Sequence, residues 1–590
     1  MQDKVTSGIN NSNASSTGTQ ARSRYIFVTG GVMSGLGKGV VTASIAKLLQ
    51  LCNLRVSCMK IDPYLNVDAG TMNPMIHGEV FVTEDGGECD MDIGAYERFL
   101  DTNLSRDHNI TTGKVYSSVI ERERKGEYLG QCVQIIPHVT DEIKARIRGL
   151  AAKHMLDVLV VECGGTVGDI ESLPFLEAMR QIRLEDGAEN VLFVHVTLAP
   201  VLDVVGEVKT KPTQHSVQEL RRIGIQPDII AVRSRVILDD GIKSKIALFA
   251  NVSMRDVISC HDVDSIYEVP EVLQQQGIVD RIRHRLGLPD HGFEWGSWRQ
   301  VMDSYRSLRD GIRIAMVGKY VKLADSYVSV NQALSHAGAM LGYRVRIDHI
   351  DAELFEQDSR NLSMLDGYSG ILVPGGFGRR GSEGIIRAAD YARVKDIPYL
   401  GICFGFQLAI VAFARSVCML DGANSTELDE DARHPVVHLL PEQRDVVNLG
   451  GTMRLGTHEI DVKDGTLAYS IYGSRRIYKR HRHRYELNLE YRDILERHGM
   501  IFSGWSDGAR RMEILELPDS RFYLAVQYHA EFTSRPGRPE EAFLAFVKAA
   551  LEYSGSNERA RMRKRVRGIH SHPSQSPPPI SKPRSRARKV

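Results

Sequence analysis

The sequence has almost no net charge: 75 Lys and Arg stand against 74 Asp and Glu in 590 residues. No overall field therefore draws the chain to nucleic acid or to an anionic membrane, and any anion it binds must be held locally. Long apolar runs are also missing. The stretch from Val191 to Val205 is interrupted by polar groups and falls short of the ~20 residues that span a bilayer. The eight cysteines show no paired spacing, which argues against a disulfide framework and fits reduced thiols in a soluble, cytoplasmic protein. No repeat of ~20 to 50 residues is visible, which excludes solenoids and propellers.

What is present divides the chain. Residues 1–23 are polar, lack the apolar segment of a secretory signal, and read as a disordered lead-in. Over residues 24–288, short β-rich runs (Tyr25–Thr29, Arg55–Ile61, Leu156–Glu162, Val191–Thr197, Asp228–Val232) alternate with amphipathic helical patterns, as in a parallel sheet covered by helices. Residues 289–311 hold Trp295 and Trp298 but no strand pattern, and read as an interdomain linker. A second α/β series fills residues 312–553, from the strand Ile312–Val317 to a closing helix near Glu540–Glu552. Residues 554–590 are Gly-, Ser- and Pro-rich with basic clusters Arg561–Arg567 and Lys582–Lys589. Solvated disorder is the expectation there, with nuclear import or partner binding the alternative.

The first strand runs into Gly30-Gly31-Val32-Met33-Ser34-Gly35-Leu36-Gly37-Lys38-Gly39, followed by the helical pattern Val40–Leu51. Strand, Gly-rich loop and helix N-terminus together expose backbone N–H groups to a polyphosphate, and Lys38 would neutralise its terminal charge, so ATP is the natural ligand. A plain P-loop follows its lysine with Ser or Thr to hold Mg²⁺, whereas Gly39 follows Lys38, so the metal needs other oxygens. Asp92 and Glu162 are candidates. Asp85, Glu88 and Asp90 nearby read equally well as solvated loop acids.

In the second half the strand Ile397–Ile402 delivers the chain to Cys403, flanked by Gly401 and Gly405 and followed by an apolar helical run. A cysteine at such an elbow meets a helix N-terminus that favours its thiolate. Gly375-Gly376-Phe377-Gly378 supplies N–H groups able to face an oxyanion. His529 and Glu531 lie two positions apart, so that an extended segment turns both to one side, as base and orienter.

Gly30–Gly39, Lys60–Thr71, His77–Asp92, Glu162–Ser172 and Lys209–Asp228 together resemble the synthase domain of CTP synthases, and the region from Ile312 to about Glu552 resembles class I, triad-type glutamine amidotransferases. The resemblance implies a P-loop-type parallel-sheet synthase domain followed by an amidotransferase α/β domain, which together aminate UTP to CTP with ATP and with ammonia from glutamine. It implies ATP contacts at Ser34, Gly35, Leu36, Gly37, Lys38, Gly39, Asp92, Asp262 and Val263, and Mg²⁺ at Asp92 and Glu162. Ser34, Lys60, Asp169, Ile170, Glu171, Lys209, Thr210, Lys211, Pro212, Thr213, Gln214 and Lys245 would contact UTP or CTP. Gly376, Phe404, Gln407, Glu427 and Arg484 would hold glutamine. The resemblance further implies activation by GTP, feedback inhibition by CTP, and tetramers that can assemble into filaments.

Phe404 and Phe406 stand where the family commonly has Leu and Met, and Ala530 where Pro usually separates the histidine and glutamate. The aromatic pair would reshape the pocket wall, and Ala530 removes a backbone restraint on the His529–Glu531 alignment. Two rivals are opposed by particular residues. Lys209–Gln214 argues against cobyrinic or cobyric acid amidating enzymes. Intact Lys38, Cys403, His529 and Glu531 argue against a nucleotide-binding scaffold without chemistry.

Overall fold

The computed structural model describes residues 23–202, 206–443 and 450–569. Most of the expected lead-in, and the basic cluster Lys582–Lys589, lie outside the described residues.

Seven parallel strands form the first sheet: β1 (Arg24–Gly30), β2 (Val56–Asp62), β3 (Asn109–Thr111), β4 (Val158–Cys163), β5 (Val191–Leu198), β6 (Ile229–Arg233) and β7 (Val257–Cys260), in the order β7-β6-β5-β1-β4-β2-β3. Nearly every residue of β1, β4 and β5 is buried, which is why they read as continuous apolar runs: helices cover both faces. Strand β1 lies between β4 and β5, and the chain passes from its carboxyl end through the glycine loop into helix α1 (Lys38–Gln50). The register pairs Lys60 of β2 with Glu162 of β4, and Thr29 of β1 with His195 of β5, so that polar groups meet where ligands bind in such sheets.

The second sheet has nine strands. Four with β8 (Arg309–Gly318) at their head are parallel: β8, β9 (Tyr343–Asp351), β10 (Gly370–Val373) and β11 (Tyr399–Ile402). An antiparallel extension follows, made of β12 (Arg454–Val462), β13 (Arg476–His483), β14 (Ile501–Ser506) and β15 (Arg511–Glu516), and β16 (Tyr523–Val526) joins the two parts, parallel to β11 and antiparallel to β15. The order is β9-β8-β10-β11-β16-β15-β14-β12-β13.

Two segments differ from the expectation. Residues 289–311 contain a helix, α4 (Ser297–Arg306), when the helices Met91–Leu100 and Lys211–Arg222 are taken as α2 and α3. Its buried Trp298, Val301 and Met302 share one face, and Trp298 Nε1 donates to the Tyr267 carbonyl at 3.2 Å, so the segment is packed against the first unit. After helices α5 (Val328–Leu341) and α6 (Phe404–Ser416), the closing helix α7 runs Glu541–Ile569 and takes in the cluster Arg561–Arg567. Glu, Arg, Ala, Met and Lys, which dominate from Glu558 to Arg567, are strong helix formers, and Gly555 alone does not break the run.

The two units meet through charge. Arg480 on β13 is fully buried and donates to both carboxylate oxygens of Glu97 on α2, at 3.0 and 3.2 Å, and Arg535 reaches the same carboxylate. Arg482 donates to Glu88 at 2.8 Å and to the Gly70 carbonyl at 3.0 Å. Out of context Arg480–Arg484 could pass for a metal or nucleic-acid patch; its first two arginines instead bind the neighbouring unit. Glu97→Gln leaves two buried guanidiniums side by side, and is expected to cost about 3–5 kcal/mol, read as a lower urea midpoint.

Candidate active sites

Glycine is required in the phosphate loop at two levels. Gly35 and Gly37 have φ of 74° and 81°, and a Cβ on Gly39 would lie 2.0 Å from Asp92 Oδ1. Lys38 opens α1 and its Nζ donates to the Gly165 carbonyl at 2.8 Å. The loop borders a cavity of about 750 Å³ whose wall includes Ser34–Gly39, Lys60, Asp92, Glu162, Asp169 and Glu171.

At its floor Lys60, 5 % exposed, is ringed by carboxylates: a short hydrogen bond to Asp92, then Glu162 at 3.2 Å, Asp90 at 3.6 Å and Asp62 at 3.8 Å. Burial opposes the ammonium, but the acids outweigh it and hold its pKa well above the ordinary lysine value. Burial pushes Asp62 up to about 6 and Asp90 up to about 7, against the pull of Lys60. Asp92 goes the other way: burial is overcome by Lys60, and its carboxyl stays below the usual range. Burial and then Asp92 raise Glu162, whose second oxygen accepts a short hydrogen bond from Tyr96. The strand pattern alone did not reveal Asp62 or Tyr96, because their partners come from other strands and helices.

Other expected contacts lie elsewhere. Lys209–Gln214 and Lys245 do not line this cavity. Pro212 is in the first turn of α3, where proline's missing N–H costs nothing. Lys209 pairs with Glu207 at 2.6 Å, Gln214 donates to Thr210 at 3.1 Å and Thr213 to the Leu198 carbonyl at 2.9 Å. Asp262 forms an ion pair with Arg233, and neither it nor Val263 lines the cavity. Asp169 precedes the short 3₁₀ turn Ile170–Ser172 without capping it; its carboxylate accepts from Thr166 N at 2.9 Å, and Ile170 is exposed.

In the second unit Cys403 occupies the position before α6 with φ 53°, a left-handed backbone that a non-glycine residue adopts only under strain. Its N–H donates to Val526 at 2.7 Å, tying the elbow to β16. A Cβ on Gly405 would lie 2.4 Å from the Val373 carbonyl, and one on Gly401 2.8 Å from Gly405, so both flanking glycines are sterically required. Sγ lies 3.6 Å from the Arg482 carbonyl.

His529 Nδ1 meets Glu531 Oε1 at 2.7 Å. The intervening segment is not extended, as the spacing suggests, but a 3₁₀ turn, Ala530–Thr533. Ala530 is fully buried, Thr533 Oγ1 donates to its carbonyl at 3.2 Å, and the His529 ring stacks on Phe532 at 5.1 Å, so turn and packing align the pair where proline is missing. Burial disfavours a charged His529, but Glu531 and then Cys403 outweigh it and push its pKa up to about 10.

Gly375 approaches His529 so closely that a Cβ there would lie 2.8 Å from the ring. Lys319, which no local pattern singled out, braces the glycine loop: Nζ donates to the Phe377 carbonyl at 3.1 Å and to that of Gly378, and lies 4.2 Å from the Phe404 ring centroid. Burial pushes this lysine down to about 8. Phe404 thus gives Lys319 a cation–π partner, and both Phe404 and Phe406 are buried in the core. Gly378 N donates to Glu427 at 2.6 Å, Gln407 to the Tyr485 carbonyl at 2.8 Å, and Arg484 to Gln443 and Thr452. A cavity of about 50 Å³ joins Gly375, Gly376, Cys403 and His529 to Pro74 and Glu79 of the first unit.

The model of a family described as CTP synthase N-terminus matches residues 24–288, and that of glutamine amidotransferase class-I matches residues 322–549. The CTP synthase of Pyrococcus abyssi is 57% identical over 531 residues, covering 90% of this chain and 98% of its own. That of Methanosarcina acetivorans is 52% identical over 535 residues, covering 91% and 99%. A solved glutaminase domain of Trypanosoma brucei CTPS with bound acivicin is 38% identical, covers 41% of this chain and 94% of its own, and superposes with a TM-score of 0.39. With both halves matched and the relatives spanned over nearly their whole length, the chain belongs to the CTP synthase family of glutamine-dependent ligases.

Proposed function

We propose that this chain performs the CTP synthase reaction, ATP-dependent amination of UTP with ammonia from glutamine, at two separate sites within residues 24–288 and 312–553, joined by residues 289–311. The observation that carries the reading is the coexistence of a loop-bordered cavity of about 750 Å³ with a Cys403, His529 and Glu531 constellation on the other sheet.

At the amidotransferase site Cys403 Sγ attacks the carboxamide carbon of glutamine, and N–H groups of the Gly375–Gly378 loop face the oxyanion that forms. His529, charged and held by Glu531, gives its proton to the departing ammonia and recovers one from the water that hydrolyses the thioester. Gly376, Phe404, Gln407, Glu427 and Arg484 form the glutamine pocket. Glu531→Gln is expected to lower glutamine-dependent turnover about 10²- to 10⁴-fold. It removes the largest cause raising the His529 pKa, so the alkaline limb of the pH–rate profile moves to lower pH while the ammonium-dependent profile stays in place.

At the ligase site Lys38 and the loop Ser34–Gly39 hold ATP phosphates, with Asp262 and Val263 toward the adenine. ATP phosphorylates O4 of UTP, and ammonia displaces the phosphate at C4. Lys60, Asp169, Ile170, Glu171, Lys209–Gln214 and Lys245 serve the pyrimidine nucleotide, which is CTP under feedback inhibition. Asp92 and Glu162 converge on one cation, Lys60, and as hard oxygen donors they fit Mg²⁺, which takes one or two protein carboxylates and completes its shell with phosphate oxygens and water. Among the described residues no group of three or more His, Cys, Asp or Glu is arranged as a metal site by itself. When bound, the ion neutralises charge on the transferring phosphoryl group.

GTP activation and a homotetramer able to form filaments complete the reading. The exposed Leu129, Ile135 and Ile136 offer apolar surface for subunit contact. A cytoplasmic location belongs to the same reading; no helix among the described residues is long and apolar enough to cross a membrane. The test is CTP formation from UTP, ATP, Mg²⁺ and GTP with either glutamine or ammonium. No CTP from either nitrogen source refutes the assignment.

A further inference from the structure

Gln527 follows strand β16 where that strand braces the cysteine elbow, and it takes no part in the chemistry above. It is 1 % exposed and stands between the buried Val526 and Tyr528. Its own N–H donates to the Glu513 carbonyl of β15 at 2.9 Å, and the Val526 carbonyl just before it accepts from Cys403 N at 2.7 Å, so the backbone carrying this amide is tied both to the sheet and to the elbow. The side-chain Nε2 lies 3.8 Å from Cys403 Sγ, within reach of a hydrogen bond to sulfur.

The neighbours fix which end of the amide faces the sulfur. Gln407 Nε2 donates to the Tyr485 carbonyl at 2.8 Å, and a main-chain carbonyl only accepts, so this end of Gln407 is its NH₂ group. The same group lies 3.5 Å from Gln527 Oε1. The oxygen of Gln527 is therefore taken up by Gln407, and its NH₂ group is the end turned to Cys403.

Sγ has partners of opposite preference. The Arg482 carbonyl at 3.6 Å accepts from the neutral thiol and repels a thiolate. Gln527 does the reverse: its N–H bond strengthens as the sulfur gains charge, because hydrogen bonds to an ionised acceptor are about twice as strong as neutral ones. His529 alternates between charged and neutral during the cycle, whereas an amide N–H is constant. Methionine or leucine would fill this buried space without desolvating an amide, so packing alone does not account for glutamine here.

We propose that Gln527 is a further catalytic residue of the amidotransferase site, donating its side-chain N–H to Cys403 Sγ whenever the sulfur is anionic. It does so twice in the cycle. Before attack it holds the thiolate, which then bonds to the carboxamide carbon as the nitrogen leaves as ammonia with the His529 proton. In the second half water adds to the thioester carbon and gives a proton to His529, the C–S bond breaks, and its electron pair returns to Sγ facing the Gln527 N–H as glutamate departs. The inference rests on Cys403 as the nucleophile and adds a fourth side chain to Cys403, His529 and Glu531.

Gln527→Met keeps length and burial but has no donor, and Gln527→Glu keeps the shape while setting a carboxylate against the sulfur. Alkylation of the full chain by iodoacetamide between about pH 5 and pH 9, followed through the mass of the Cys403 peptide, reads thiolate formation without turnover. In Gln527→Met the curve of alkylation rate against pH is expected to move up by about 0.5–1 unit, and in Gln527→Glu further. In Gln527→Met kcat with glutamine falls about tenfold or more while KM for glutamine stays within about threefold. Ammonium-dependent CTP formation stays normal in the same preparations, which shows that the variants are folded. A merely structural glutamine would lower the urea midpoint or raise KM and leave the alkylation curve in place. Coincident curves for the natural protein and both variants, or kcat within about twofold of normal in Gln527→Met, overturn the proposal. Alkylation of Cys403 that leaves glutamine-dependent CTP formation intact overturns instead the assignment of the nucleophile on which it rests.

Discussion

Cys403→Ala is expected to abolish glutamine-dependent CTP formation, by at least about 10³-fold, while ammonium-dependent formation continues at close to its normal rate. The asymmetry follows from where the sulfur lies. Cys403 is reached from β11 and braced by β16, and its surroundings are the glycine loop, His529 and the Arg482 carbonyl. None of the groups around Lys60 touches it. Alanine trims one atom in a tight elbow, keeps the strained backbone position, and leaves the ligase cavity as it was. Measuring CTP at saturating ATP and UTP with each nitrogen source in turn checks the result. Equal loss with both sources would mean that thiol and ligase chemistry are not divided between two sites.

Lys60→Met is expected to abolish CTP formation from both nitrogen sources and to destabilise the fold by about 3–5 kcal/mol near neutral pH. Asp62, Asp90, Asp92 and Glu162 all lie within 4 Å of the one ammonium, in a place where water does not replace it. Removing the cation leaves buried acids facing one another, and they respond by binding protons. In the natural protein Asp62 and Asp90 already titrate at about 6 and 7, above an unfolded value near 4. A folded state that binds more protons than the unfolded one loses stability as pH rises through that window. Without Lys60 the window widens upward, so the deficit should be small at pH 5 and large at pH 8. Urea midpoints of both proteins at the two pH values measure it; a deficit independent of pH would show that the carboxylates do not depend on Lys60.

Much of the architecture is legible locally. Buried parallel strands announce themselves as apolar runs, and β1, β4 and β5 lie within two residues of where the sequence puts them. The phosphate loop and the cysteine elbow are also local, because glycine spacing and a strand-to-helix transition fall within about ten residues. Three kinds of feature are not local. The three-residue strand β3 is too short to carry a pattern. Lys60 looks like a polar interruption of a strand; the resemblance names it as a nucleotide contact, but its ring of carboxylates follows only from the register beside Glu162. Lys319 braces the glycine loop from 58 residues away, a relation that no spacing encodes. The His529–Glu531 pair is a subtler case: two-residue spacing suggests a shared face of a strand, but a 3₁₀ turn brings the groups together.

Strand β13 carries a consequence of its own. Its residues alternate by chemistry: Arg480 and Arg482 point to Glu97 and Glu88 across the interface, while His481 between them meets Glu513, which Arg454 also holds, and His483 packs beside His481. Side chains on a strand reverse face at every step, so a slip of one residue would drive both guanidiniums into the Glu513 core and turn the imidazoles toward two unneutralised glutamates. Acids on both sides of the strand thus act as a charge-based vernier, admitting one alignment of β13. That same alignment sets the Arg482 carbonyl beside the sulfur of Cys403, so the contact between the two halves and the placement of the thiol depend on one strand register.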